Sequence, residues 1–190
     1  MSEPYEELLS GEWHLRLGPG ERHERICTRL HEIMLTSVAN YPATKLLPPR
    51  MKIPLNQHHT VRPDLALVTS ANNRLWLAVE IVSSDDHRAD TVIKKQIYED
   101  VKVPRLWMID PRYDNVEIYH SFEFGLKLQG ILAGSEILQE KLVPQFQKRP
   151  ALDGGPNPLH QIRKIPEIVD GIQPRAQHLL DVEQMVQIRP

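Results

Sequence analysis

Two carboxylates sit inside apolar, strand-like runs. Asp64 opens the run Asp64-Leu65-Ala66-Leu67-Val68, and Glu80 is embedded in Leu77-Ala78-Val79-Glu80-Ile81-Val82. A carboxylate buried among Leu, Ala and Val costs several kcal/mol unless it is paired or binds a cation. A divalent metal ion shared by Asp64 and Glu80 would meet that cost for both. The nearest cations downstream are Lys94 and Lys95, in a segment from about Asp86 to Val101 where Ala89, Val92, Ile93, Ile97 and Val101 recur at helical spacing. Asp90, Lys94 and Tyr98 follow one another at four-residue intervals and form a polar ridge beside that stripe. A helix carrying this ridge and packed on a sheet would aim Lys94 at the carboxylates.

The elements that must position these residues are a hairpin and the helix after it. Leu65 to Thr69 and Leu75 to Ser83 are rich in Leu, Val and Ile, and Ser70 to Arg74 between them is a turn signal, because Asn tolerates left-handed backbone. A loop of the three residues Ala71, Asn72 and Asn73 pairs Ser70 with Arg74 and places Asp64 opposite Glu80, on one face. A two- or four-residue loop would shift the pairing by one and send the carboxylates to opposite faces. Val82, two residues after Glu80, faces the same way and has no chemistry to offer.

Pro63-Asp64, Glu80-Ile81-Val82-Ser83, Asp90 with Lys94 and Tyr98, and Val103-Pro104 leading into Leu106-Trp107-Met108-Ile109-Asp110-Pro111 resemble, in order and spacing, the restriction-endonuclease family called Uma-two, within the PD-(D/E)XK nuclease superfamily. The likeness covers roughly residues 20 to 146. It implies a restriction-endonuclease-like α/β (α+β) fold, a mixed β-sheet flanked by helices, and DNA as the partner. It also implies Asp64 and Glu80 as ligands of Mg²⁺ (or Mn²⁺), with a lysine assisting the attacking water. Valine stands where the superfamily's usual lysine would be. The resemblance therefore moves that role to Lys94 on the following helix, with Lys95 as the fallback. Relatives with an acid on the first helix imply Glu21 as a further metal ligand. Hard oxygen ligands suit such a metal, which polarises phosphoryl oxygens and lowers the pKa of bound water.

Plainer readings stand beside these. Asp64 and Glu80 would also be explained as strand-end acids or as salt-bridge partners of Arg62, Arg74 or Lys94. Tyr98 either touches substrate or a ligand carboxylate, or is a half-buried helix tyrosine with its hydroxyl in water. Asp90 is either a partner of Lys94 or the acid that favours a lysine four residues on. Cys27, the single cysteine, excludes an internal disulfide and shares an apolar stripe with Ile26, Leu30, Ile33 and Met34, which reads as core. His23 and His31 are two helical turns apart, about 12 Å, too far to share one ion. His58 and His59 are adjacent and point apart in a strand.

The composition, 41% hydrophobic and 25% charged, is that of a globular protein. No apolar run approaches the roughly 20 residues that cross a bilayer, and the acidic N-terminus is unlike a signal peptide, so the expectation is a cytoplasmic protein without membrane contact. A net charge of −2 argues against a broad basic grip on duplex DNA. Arg22, Arg25 and Arg29, with Lys45, Arg50 and Lys52, either flank a nucleic-acid cleft or form a solvated face.

Along the chain the expected order is a short N-terminal segment, a helix from about Gly20 to Ser37, one or two strands over Leu46 to Leu55, the hairpin, the second helix, and strands Arg105 to Ile109 and Val116 to Ser121. Gly125 to Phe146 adds another strand and a loop. The domain is expected to span residues 1–146, followed by a proline-rich extension over 147–190. Its short amphipathic helix, Ala176 to Ile188, either packs on its own domain or docks on a second copy to form a homodimer. The leading expectation is a metal-dependent endonuclease, and the rival is a catalytically silent scaffold that binds a protein or nucleic-acid partner. Acid/base hydrolysis of a non-phosphate substrate is a third option, though nothing marks a sugar or peptide site.

Overall fold

In the computed structural model, residues 3–83, 89–134, 136–141 and 143–148 are described, with backbone alone at 89, 90, 144, 145, 147 and 148. The chain divides into two units, Met1–Leu159 and His160–Pro190, and every described residue lies in the first. The extension from residue 149 onward, including the helix expected at Ala176 to Ile188, lies outside the described residues.

The chain opens with a hairpin of β1 (Tyr5–Leu9) and β2 (Glu12–Arg16) where only a short segment was expected. Its two-residue turn needs left-handed backbone at both positions, and Ser10 (φ 54°) and Gly11 (φ 85°) supply it. Helix α1 (Glu21–Val38) follows, then β3 (Thr44–Leu46), β4 (Ile53–Asn56) and β5 (His59–Val61). β6 (Leu65–Thr69) and β7 (Leu75–Ile81) form the expected hairpin. A π-helical turn (Ala89–Lys94) runs directly into α2 (Lys95–Asp100), and β8 (Arg105–Asp110), β9 (Asn115–Phe122), β10 (Gly125–Ala133), β11 (Leu138–Glu140) and β12 (Val143–Lys148) complete the described chain. The stretch expected to hold one further strand and a loop thus holds three strands.

Six strands form the central sheet in the order β10-β9-β8-β7-β6-β3, antiparallel except for the β7–β8 pair. That parallel pair requires a crossover, which the π turn and α2 provide. Alternation along the strands separates two apolar faces. Leu65, Leu67, Leu77, Val79 and Ile81 pack under α1 with Leu138, Val143 and Phe146. Ala66, Val68, Ala78 and Val82 pack with Ile97 and Tyr98 of α2 and with Leu9, Ile53 and Val61 of a second sheet, ordered β2-β1-β5-β4.

The β6–β7 loop differs from expectation in a way that matters. Thr69 N–H donates to Arg74 O at 2.9 Å, so the loop is the four residues Ser70 to Asn73, with Asn73 left-handed at φ 54°. That length alone would throw Asp64 and Glu80 out of register. A β-bulge restores it: Val68 opposes Leu75 and Leu67 opposes Leu77, so Trp76 is the extra residue, and Ala66↔Ala78 and Leu65↔Val79 follow. Continued one step, the ladder sets Asp64 against Glu80.

Cys27 is 1% exposed in the α1 core, and burial is the main cause that pushes its thiol up to about 12. The nucleophile is the thiolate. Iodoacetamide at pH 8 is therefore expected to leave the folded protein unlabelled and to modify Cys27 fully in denaturant, as read by intact mass; rapid labelling of the native protein would contradict the packing.

Candidate active site

Glu80 projects from β7, the most completely buried strand, toward α2. It is 2% exposed, and both its oxygens are occupied. Lys94 Nζ donates to Oε2 at 2.6 Å and Tyr98 OH donates to Oε1 at 2.5 Å. The ridge spacing thus puts Lys94 and Tyr98 on one carboxylate, and Tyr98 is fully buried, with its hydroxyl on Glu80 instead of in water. A π turn is a recurring feature of functional sites, and here one runs into α2 with Lys94 as its last residue.

Lys94 is 1% exposed and has a second carboxylate beside it, Glu7 Oε1 at 3.2 Å. Glu7 comes from β1 and is completely buried. It accepts from Arg62 N–H at 2.6 Å and lies 3.5 Å from Arg16 of β2. The sequence reading passed over Glu7 and Arg16. The available signal was Ser10-Gly11, a turn dipeptide between runs that alternate, with Tyr5, Glu7 and Leu9 on one face.

Asp64 is held from the opposite side of the sheet. Ile81 N–H donates to its Oδ2 at 2.9 Å, Arg50 Nη1 donates to Oδ1 at 3.1 Å, and His23 Nε2 of α1 lies 3.2 Å from Oδ2. Arg50 also clasps Glu24 through Nη2 at 2.8 and 2.9 Å. His23 Nε2 is 3.0 Å from the carbonyl oxygen of Ile81, so that nitrogen must carry the ring hydrogen. The two halves meet in a small cleft of about 30 Å³ lined by Tyr5, Arg16, Leu17, Gly18, Pro19, Gly20, His23, Asp64, Glu80, Ile81 and Ser83. That is enough for a small ion or a few waters. Lys94 does not line the cleft; it stands behind Glu80.

The remaining expected residues fall elsewhere. Glu21 is 86% exposed and pairs with Arg25 at 2.8 Å, so the structure does not bring it to the carboxylate pair, although it lies next to cleft residue Gly20. A first-turn acid points outward there while His23, two residues on, points in. Lys95 places its Nζ 4.1 Å over the Tyr119 ring and does not join Glu80. The side chain of Asp90 lies outside the described residues. His58 lies in the β4–β5 turn and His59 opens β5, where its Nδ1 accepts from Ser10 N–H at 3.0 Å.

A family model described as "Putative restriction endonuclease" matches residues 2–153. The chain belongs to the Uma2 family. A crystal structure of "a putative nuclease belonging to DUF820" from Anabaena variabilis superposes on this Uma2 chain with a TM-score of 0.66, covering 78% of this chain and 89% of that one at 13% identity. At that identity the likeness is one of fold, the restriction-endonuclease-like mixed sheet flanked by helices. No protein of curated function matches the chain. No helix among the described residues is long and apolar enough to cross a membrane.

Titration in the cleft follows from the pairing. Burial raises the Asp64 carboxyl, but the His23 bond, the charges of His23 and Lys94 and the Ile81 N–H together hold it below its usual value of 3.8. Burial lowers the His23 imidazole, and its bond to Asp64 together with the Asp64 charge outweighs this and raises it above 6.5. Asp64 thus contributes stability above pH 3.8 that is lost as pH falls through its depressed native value, whereas protonated His23 contributes stability below pH 6.5 that is lost as pH rises through its elevated one. The melting temperature of the parent is expected to decline more steeply than that of His23→Gln as pH is raised from 6.5; parallel curves would show that His23 carries no charge on Asp64.

Proposed function

We propose that this Uma2 protein is a metal-dependent nuclease that hydrolyses phosphodiester bonds of DNA, with residues 1–146 as the nuclease domain. The observation that carries this reading is the convergence of Asp64 and Glu80, both at most 4% exposed, on a single open cleft. The donor set fits a hard cation. Among the described residues no three His, Cys, Asp or Glu side chains cluster as a metal cage, and Mg²⁺ is usually held by one or two carboxylates, with waters and substrate phosphates completing its shell. A structural zinc site would need four protein ligands.

In this reading Asp64 and Glu80 hold Mg²⁺ or Mn²⁺, and Tyr98 and Ile81 N–H fix the orientation of the two carboxylates. Such an ion polarises phosphoryl oxygens and makes water a nucleophile near neutral pH. The ammonium of Lys94, directly behind Glu80, offsets negative charge developing in the cleft. Burial strengthens that effect, because few waters screen it. Arg16 in the cleft wall suits a phosphate oxygen, since guanidinium donors match its geometry. The loop Gly18-Pro19-Gly20 forms part of the cleft wall, with open space above Gly20.

A second reading is favoured by a specific observation: every oxygen of Asp64 and Glu80 already accepts from a protein donor. A cluster satisfied in this way suits a silent scaffold that kept the fold for binding. Two measurements separate the readings. Calorimetric titration with Mn²⁺ is expected to show saturable binding that disappears in Asp64→Asn and Glu80→Gln. Hydrolysis of bis(4-nitrophenyl) phosphate, which requires no recognition sequence, is expected to fall by about 10²- to 10³-fold in those variants and in Lys94→Met, the usual range for losing a charge-stabilising group. A folded parent that binds no Mn²⁺ and cleaves neither this ester nor DNA would establish the scaffold.

A further inference from the structure

We infer that Glu7 is the positioning residue for Lys94, so that the N-terminal hairpin, and not the sheet alone, completes the site. The inference rests on the reading of Lys94 as the assisting cation. A lysine side chain has four rotatable methylenes and, on a helix next to a cleft, would ordinarily extend its ammonium into water. Lys94 instead is 1% exposed, its Nζ lying 2.6 Å from Glu80 Oε2 and 3.2 Å from Glu7 Oε1. One carboxylate would leave the ammonium free to swing about a single contact. Two carboxylates from different sheets, β7 and β1, define its place.

Glu7 is itself fixed. Its Oε1 takes Arg62 N–H at 2.6 Å, immediately after β5, and its Oε2 is 3.5 Å from Arg16. The backbone of β1 is in turn paired to β2 over five residues and to β5 through Leu8 and Thr60. A line of alternating charge therefore runs Glu80, Lys94, Glu7, Arg16, with each member at most 5% exposed, and both of its ends line the cleft. Glu7 is in contact with both cations of that line. It does not line the cleft, so its effect on substrate must pass through Lys94 and Arg16.

The test compares the parent with Glu7→Gln, which keeps the shape and removes the charge. Amine acetylation, followed residue by residue by peptide mass spectrometry, is expected to reach Lys94 severalfold faster in the variant, with exposed Lys45 and Lys52 as internal standards. Iodoacetamide labelling of Cys27 in the same samples reports opening of the whole domain and is expected to stay as slow as in the parent. With bis(4-nitrophenyl) phosphate, kcat is expected to fall by about 10- to 100-fold, the usual cost of removing a partner that orients a site residue, with KM and Mn²⁺ affinity unchanged. Should Glu7→Gln not fold, Glu7→Asp, which keeps the charge and shortens the reach by one methylene, gives the same comparison. Unchanged acetylation of Lys94, or Lys94 and Cys27 becoming reactive together, would overturn the inference. A parent that neither binds Mn²⁺ nor cleaves would sink the nuclease reading, while the labelling arm would still decide whether Glu7 holds Lys94.

Discussion

The constraint on which the structure depends is the presence of ionised side chains in its interior. Glu7, Glu80 and Lys94 are at most 2% exposed, and effective desolvation penalties run to several kcal/mol per ion. Such groups persist only when each charge is matched. The fold meets the requirement with partners from separate elements: the π turn and α2 for Glu80, β1 for Lys94, and the backbone after β5 for Glu7. Replacing this cluster with aliphatic residues would often be neutral or stabilising. Its retention therefore calls for a reason other than stability, and a reactive cleft is one.

The same cluster explains features that the apolar core does not require. The two-stranded N-terminal hairpin has exposed apolar side chains on its outer face, Trp13 and Leu15, so its attachment owes much to what its inner face carries: Leu9 in the core and Glu7 on Lys94. The π turn sits where the crossover between parallel strands β7 and β8 must bring a cation back over Glu80. Val82 occupies the position two residues after Glu80 and fills the second core with Ile97 and Tyr98. The lysine reaches the carboxylate from the helix layer, and the strand position is left to packing.

Asp64 is organised by different means. It takes its donors from α1, from Arg50 and from the backbone of β7, on the other side of the central sheet from Lys94. The cleft thus lies at a strand end, where Asp64, just before β6, and Glu80, on β7, take their donors from different layers. Arg50 holds left-handed backbone at φ 54° while bridging Glu24 and Asp64, which ties the first turns of α1 to the strand end. The formal charge of the chain is −2, and several of its cations are paired with internal acids.

The sequence by itself determined the periodic elements and the chemistry they carry. The apolar runs of β6 and β7, the stripe of α1, and the four-residue ridge of Lys94 and Tyr98 are local patterns, and local patterns report local structure. The motif order was enough to name the family. Only the tertiary structure decided the register, because a four-residue loop was compensated by a bulge at Trp76, and a bulge adds a residue without leaving a compositional mark. Only the tertiary structure brought Glu7 and His23 to the site and left Glu21 in solvent. In the first strand two adjacent acids, Glu6 and Glu7, are chemically equal, and pairing across the hairpin buries one and exposes the other. Long-range pairing chooses among residues that look alike along the chain, since burial and charge pairing are properties of neighbours in space.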